Sequence, residues 1–326
     1  MDKKLSFHSV LLLSSLIIFI GCKSSGRLGS DTNSKINPDQ TYVITHVNII
    51  SMAGSNDLIN NATVVIANKK IQSINSTIPS GAKIIDGKGK WLMPGLIDMH
   101  VHNLADISFS TPYPTKGATL YTDTQDFMLL YVANGVTTCL ELNGRAEHFG
   151  QRNEILKGNV IGPRIALAYL IEGGEGNANI ANTPEDGRQT VRIAKGAGFE
   201  FIKVYSHLTT ETFTAIVDEA NKQGMKVAGH IPNAFQGKAD KAFIPHFGMV
   251  AHAEEFAKLS ADFSDTDAAY FAKLAKNNGT WLTPTLTAID WIGRESESLD
   301  SLQRLSALKY VHPMLQNKWI YSNAYK

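Results

Sequence analysis

The sequence has little cysteine. Cys22 and Cys139 are the only two in 326 residues. Two thiols cannot build a disulfide framework or a zinc-finger ligand set. Charge of one sign is lacking too: the formal net charge is +1, which argues against a nucleic-acid partner. The chain has no G-x-G-x-x-G behind the first strand of its main body, no P-loop and no nucleophile elbow, so the common signatures of dinucleotide, nucleotide and serine-ester chemistry are missing. It has no periodic repeat and no long low-complexity tract, and no apolar run is long enough to span a bilayer as a mature helix. What remains is the composition of a globular protein, 43% hydrophobic and 19% charged. The length suits a large domain plus a small one.

The N-terminus reads as a targeting segment. Lys3 and Lys4 form a basic start, and Val10 to Ile20 is an apolar core broken only by Ser14 and Ser15. It ends in Phe19-Ile20-Gly21-Cys22, which resembles a bacterial lipoprotein signal. In such signals cleavage falls before the cysteine and the thiol carries lipid. Residues 1–22 are thus expected to be a lipoprotein signal with lipidated Cys22, and residues 23–41 a polar tether. That predicts export across the inner membrane and a globular body held at a bacterial membrane, on its periplasmic side or at the cell surface. Cys139 is then expected to be a buried apolar residue.

Residues 42–92 read as a small β-domain. Tyr42–Thr45, Val47–Ile50, Thr63–Ile66 and Lys70–Ile74 are rich in β-branched residues, and clusters of Asn, Gly, Ser and Pro separate them. From residue 93 to 326 strands and helices alternate, which predicts a parallel sheet with right-handed crossovers. Candidate strands are Leu96–His102, Val136–Leu142, Arg164–Ile171, Phe201–Tyr205, Lys226–His230, Met249–His252 and Thr280–Thr285. The clearest helix is Thr210 to Gln223, opened by Thr209 and closed by Gly224. The expected class is α/β: a (β/α)8 TIM-type barrel lacking its eighth strand, behind a β-sandwich-like N-terminal domain. A doubly wound open sheet is the alternative.

The chemistry begins at His100-Val101-His102. Residues two apart on a strand point the same way, so both imidazoles aim at one place and form half of a divalent-metal site. Further histidines, His230 and His252, end later strands, at the barrel face where active sites are built. Lys203 is the unusual member. If Ile202 and Val204 pack outward, Lys203 faces the interior with Phe201 and Tyr205, where an ammonium must be neutralised, paired or modified. A neutral amine can take up carbon dioxide as a carbamate. Pairing with Glu141 or Glu172 is the plainer reading.

Three stretches carry a family resemblance over about residues 42 to 290. One runs from Ile85-Asp86-Gly87 into Met93-Pro94-Gly95-Leu96-Ile97-Asp98-Met99-His100-Val101-His102. The second is Phe201-Ile202-Lys203-Val204. The third is Val227-Ala228-Gly229-His230, followed by Ala251-His252-Ala253-Glu254. Together they resemble the amidohydrolase superfamily of metal-dependent hydrolases, in its imidazolonepropionase-like and Xaa-Pro dipeptidase-like branch. The resemblance implies two divalent ions, zinc by the preference of the ligands. His100 and His102 would hold one, His230 and His252 the other, and Lys203 as a carbamate would bridge them. It implies hydrolysis of a C–N bond in an amide, a dipeptide or a cyclic amide by a hydroxide shared between the ions. The partner is then a small-molecule or dipeptide substrate. Tyr205, one inward position past Lys203, is a candidate substrate contact.

The family's aspartate at the end of the eighth strand, its general base, has no counterpart after His252, and Asp290 comes too early to replace it. The chain therefore reads as a truncated copy. Its rival reading is a non-catalytic surface lipoprotein that uses the same fold to bind a metal or ligand. A seven-stranded barrel leaves two strand edges unpaired and predicts a tendency to aggregate. Asp98 shares a face with the two histidines and is expected to support them. His148, His207 and His246 read as surface or substrate-side residues. Gly173-Gly174-Glu175-Gly176-Asn177 reads as a loop over the site. From Glu295 onward the sequence reads as helix.

Overall fold

The computed structural model describes residues 41–54, 58–102, 124–174, 179–313 and 316. The expected signal, Cys22 and nearly all of the tether lie outside them, as do residues 175–177 of the glycine loop. The chain divides between Pro94 and Gly95 into two compact units. No described helix is long and apolar enough to cross a membrane.

Among the described residues the first unit is one five-stranded sheet. β1 (Tyr42–Ile50), β2 (Leu58–Ala67), β3 (Lys70–Ile74), β4 (Lys83–Asp86) and β5 (Trp91–Leu92) are arranged as β3-β2-β1-β4, with β5 also on β1. The two short strands expected over Tyr42–Ile50 are one. The register slips between Ile44 and Val47, where His46 takes φ 54°, so the strand bulges rather than ends. Asn68 and Lys69 both have positive φ and close the tight β2–β3 hairpin. The described sheet buries Val47, Ile49, Ala62 and Val64. It supplies one layer of the sandwich-like domain expected from the sequence.

The second unit is a nearly closed parallel barrel of seven strands. These are β6 (Leu96–Val101), β7 (Val136–Glu141), β8 (Arg164–Glu172), β10 (Phe201–Val204), β11 (Lys226–Gly229), β12 (Phe247–Ala251) and β13 (Trp281–Thr283), with a two-residue β9 (Asn179–Ile180) on β8. The order follows the chain, so each strand pairs with the next one along, and β6 and β13 are the edges among the described residues. Helices lie between the strands: α1 (Thr124–Ala133), α2 (Ala146–Lys157), α3 (Pro184–Ala197), α4 (Thr210–Lys222), α5 (Ala239–Ala242), α6 (Glu254–Ala257) and α7 (Asp265–Asn278). α8 (Leu286–Glu297) and α9 (Asp300–Gln303) follow the last strand. The helical tail expected from Glu295 is interrupted: α8 ends at Glu297, and Ser298 takes an extended conformation (φ −164°, ψ 139°). α4 begins as read, with the Thr209 hydroxyl accepting the Thr212 N–H, and Gly224 (φ 66°) follows its end.

Two buried clusters explain which way the strands face. Ile202, Val204, Phe213, Ile216, Phe247 and Val250 belong to one that includes helix residues. Leu140, Leu142, Ala168, Ala228, Met249 and Ala251, all on strands or just past them, form the other. Strand alternation then puts Lys203, between Ile202 and Val204, on the second side. Cys139 is buried, as expected.

Candidate active site

Every predicted site residue within the described chain sits at the C-terminal end of a barrel strand. His100 is in β6 and His102 follows it; Lys203 is in β10; His230 and His252 directly follow β11 and β12. The fold brings them together. The Nε2 atoms of His100 and His102 are 3.2 Å apart. The His100 ring centre lies 4.6 Å from that of His252, and His230 lies 5.0 Å from His252. Residues 100 and 252 are remote in sequence and on opposite arms of the sheet, so barrel curvature alone makes this contact.

The local backbone is built for the purpose. Gly229 has φ 141°, and a Cβ there would fall 2.1 Å from the Val204 carbonyl oxygen. Only glycine lets β11 turn so closely past β10 and present His230, whose N–H donates to that same carbonyl. His252 itself has φ 81°, and Thr285, whose hydroxyl lies 2.8 Å from His252 Nδ1, has φ 50°. Two left-handed non-glycine residues in contact store strain, of about 1–3 kcal/mol each, at the candidate site.

Burial sets the electrostatics. Lys203 is 1% exposed. Desolvation lowers its pKa to about 7, opposed only by the charge of Glu255. Its Nζ has no hydrogen-bond partner among the described residues, so neither Glu141 nor Glu172 neutralises it. Burial, then Lys203 and the neighbouring imidazoles, hold His100 down to about 2. The same causes depress His252 to about 4 and His230 further. These imidazoles are therefore neutral at pH 7 and offer lone pairs. Tyr205 stacks at 4.0 Å on His230, and burial raises its phenol pKa, so it keeps its proton.

The carboxylates that sequence reading offered to Lys203 serve other groups. Glu141 lies 3.3 Å from His102 Nδ1, and Glu172 accepts the His207 N–H at 2.7 Å. Asp98 supports its neighbour by accepting the His100 N–H. Glu255, which sequence reading missed, lies 3.2 Å from His230 Nδ1 and accepts the Ile231 N–H at 2.8 Å. The available signal was its place three residues past His252, in the first turn after a strand. His148 is not a surface residue: it is fully buried on α2, 3.5 Å from Glu141. His207 and His246 are exposed as expected. Gly173 sits against the His207 carbonyl, where a Cβ would approach to 2.3 Å, so the glycine loop begins as a tight crossing of two strand ends. Asp290 lies on α8 and pairs with Arg294.

This donor set suits a divalent metal. The imidazoles converge, those of His100, His230 and His252 held neutral by burial, and two buried nitrogens at the centre, His100 Nδ1 and Lys203 Nζ, have no partner among the described residues. No three His, Cys, Asp or Glu side chains among the described residues gather into a single-ion site. Two histidines per ion with Lys203 between them would not need such a trio.

Comparison with known proteins agrees with the geometry. The sequence model of the amidohydrolase family matches residues 91–309, more than half of the chain. A 5-methylthioadenosine/S-adenosylhomocysteine deaminase of Bacillus thuringiensis (strain Al Hakam) is 38% identical over 66 residues, 19% of this chain and 15% of the deaminase. The match thus spans well under two thirds of that relative. A Xaa-Pro dipeptidase crystallised with methionine in its active site superposes with a TM-score of 0.61 at 21% identity, covering 87% of this chain and 74% of the dipeptidase. A prolidase complexed with N-methylphosphonate-L-proline gives 0.57 at 22% identity, over 76% of this chain and 66% of the prolidase. At these identities the structures speak for the fold.

Proposed function

Because the chain belongs to the amidohydrolase family, we propose that this hydrolase opens a C–N bond, in an amide, a dipeptide or a cyclic amide, with two divalent ions, preferably zinc. One observation carries the reading: four imidazoles from three strands converge beside a buried lysine amine that has no hydrogen-bond partner among the described residues. His100 and His102 would hold one ion, and His230 and His252 the other. Lys203, whose pKa burial lowers to about 7, would add carbon dioxide through Nζ, lose a proton and bridge the pair as a carbamate. Such ions supply Lewis acidity toward a carbonyl and toward water.

The chain's own residues do the rest. Tyr205 keeps its O–H and would donate it to the substrate carbonyl oxygen, holding the scissile group over His230. Glu141 at Nδ1 of His102, and Ser206 Oγ (2.9 Å) with Glu255 nearby at Nδ1 of His230, would occupy the outer ring nitrogens and leave each Nε2 for the site. The methionine named for the dipeptidase and the N-methylphosphonate-L-proline named for the prolidase favour a dipeptide or N-acyl amino acid as substrate.

Zinc content and hydrolysis of a panel of dipeptides, N-acyl amino acids and cyclic amides test the reading. His230→Ala is expected to lose zinc and activity together; retained hydrolysis would overturn it. Lys203→Ala should regain part of its activity with added short-chain acids. A binding module without catalysis is the second reading. The observation favouring it is that Glu141, the buried carboxylate beside the His102 half, is already engaged by His102 and the Asn143 N–H. Full zinc occupancy with no turnover on any substrate would select it. Lipid anchoring through Cys22 belongs to the same proposal. It predicts incorporation of a labelled fatty acid in the native host, abolished by Cys22→Ser.

A further inference from the structure

Three helices of the barrel unit open on a hydroxyl residue that caps them. Thr183 (φ −121°) accepts the Asp186 N–H ahead of α3, Thr209 (φ −70°) the Thr212 N–H ahead of α4, and Ser264 (φ −74°) the Asp267 N–H ahead of α7. Thr285, ahead of α8, departs from them twice. Its backbone is left-handed, with φ 50° and ψ 33°, and its hydroxyl makes no hydrogen bond to the helix it opens. A β-branched side chain is a rare occupant of that conformation, which glycine or asparagine adopts more readily. The hydroxyl lies instead 2.8 Å from His252 Nδ1. An extended backbone and a capping side chain are both given up at this one position, and the contact with His252 stands in their place.

The neighbouring backbone holds that contact in register. The His252 N–H donates to the Thr283 carbonyl at 2.8 Å and the Ala253 N–H to the Pro284 carbonyl at 3.1 Å, so the end of β12 is stitched to the residues just before Thr285. His230 Nδ1 has two groups behind it, Ser206 Oγ at 2.9 Å and Glu255 at 3.2 Å. The His252 ring has Thr285 alone as a hydrogen-bond partner among the described residues. Its ring neighbours, His100 at 4.6 Å and His230 at 5.0 Å, are themselves candidate ligands. A hydroxyl both donates and accepts, so Thr285 can hold the ring whichever nitrogen carries the proton.

We propose that Thr285 is a positioning residue for the site: its left-handed backbone turns the hydroxyl from the helix to His252, and the hydroxyl fixes that ring with Nε2 left for the shared centre. The consequence for metal binding rests on the ligand role of His252 proposed above; the fixing of the ring does not. Partners of this kind are typically worth about 10–100-fold in metal affinity.

The test uses the whole chain and three variants. Thr285→Val keeps the shape and loses the hydroxyl, Thr285→Ser keeps the hydroxyl, and Thr285→Gly loses the hydroxyl but relieves the backbone. Ring order and metal affinity should follow the hydroxyl, whereas stability should follow the backbone. In metal-free protein with 15N-labelled histidine, His252 should give one sharp set of ring resonances in the wild type and in Thr285→Ser, and broadened or multiple sets in Thr285→Val and Thr285→Gly. Affinity for one of two zinc ions, measured by chelator competition, should fall about 10–100-fold in Thr285→Val and Thr285→Gly alike and stay near the wild-type value in Thr285→Ser. The thermal midpoint of Thr285→Gly should exceed that of Thr285→Val by about 2–4 °C; equal midpoints would overturn the strained-backbone half of the proposal. If Thr285→Val does not fold, Thr285→Ser and Thr285→Gly differ in the same hydroxyl and carry the comparison. Affinity that recovers in Thr285→Gly or is lost in Thr285→Ser would overturn the proposal, because turn geometry would then govern. A wild type that takes up no zinc, with His252 ordered only when the hydroxyl is present, would overturn the metal reading and uphold the role of Thr285. Two bound zinc ions with unchanged ring order and affinity in Thr285→Val would overturn that role and leave the metal reading standing.

Discussion

β10 and β13 are strands of the same barrel with opposite surroundings. β10 is hydrogen-bonded to β8 on one side and β11 on the other, and Ile202, Lys203 and Val204 are all buried. β13 pairs with β12 alone among the described residues, and its Trp281 and Leu282 are 78% and 38% exposed. β6, the other edge, leaves Leu96 and Ile97 exposed at 52% and 61%. The residue types are similar; what differs is the neighbour on the second side. The candidate site straddles this difference. Lys203 and His230 stand on interior strands whose ladders are complete, whereas His100 and His102 stand on an edge. A side chain on an edge strand has a neighbouring strand on one side only, and Glu141 stands behind His102.

The comparison can be broken hardest at Gly229. Gly229→Ala puts a methyl group 2.1 Å from a backbone oxygen at φ 141°, and nothing nearby is flexible enough to yield. The expected loss is on the order of 4 kcal/mol or more, read from the denaturation midpoint. Next in size is Phe213→Ala. Its ring is fully buried and packs edge-to-face on Phe235 and Phe247, and removing it should cost about 3–5 kcal/mol. Trp281→Ala, a larger side chain on the edge, should stay within about 0.5 kcal/mol. A Trp281 cost equal to that of Phe213 would show that the edge is covered in solution.

A smaller effect separates the interior by pH. The folded-state pKa of Lys203 is depressed to about 7 from 10.5, so between these values the unfolded chain binds more protons than the folded one. Stability of the metal-free protein from this group must therefore rise with pH across that window, by a few kcal/mol at most. Lys203→Met should abolish the rise and exceed the wild type in thermal midpoint at pH 6. A Met variant with the wild-type slope would place the titration elsewhere. The smallest effect on stability belongs to the edge. Ile97→Lys should change the thermal midpoint little while reducing self-association in light scattering, since charge on an exposed strand opposes edge-to-edge pairing. Unchanged association would show that this edge is not where molecules meet.

Much of the site was legible in the sequence because strand geometry is local. The two-residue repeat puts His100 and His102 together, and the same rule turns Lys203 away from Ile202 and Val204. The residues behind the histidines were not legible. Glu141 is read in the sequence only as one of two acids that could pair with Lys203, whereas the structure sets it beside His102. The stretch around His148, Ala146-Glu147-His148-Phe149-Gly150-Gln151-Arg152, looks solvated in sequence, and only the packing of α2 against the strands shows that His148 and Gln151 are buried. The unbroken helix expected past Glu295 failed similarly, since the break at Ser298 has no glycine or proline to announce it.

The sequence by itself determined the strand and helix alternation, the parallel barrel and which side chains face inward, because these follow from periodicity and from turn residues a few positions apart. Only the tertiary structure decided that His100 meets His252, that Glu141 and Glu255 back His102 and His230, and that Lys203 has no carboxylate partner among the described residues. Those facts depend on how the curving sheet brings distant strand ends within reach, and on which groups it removes from water. A one-dimensional pattern carries neither.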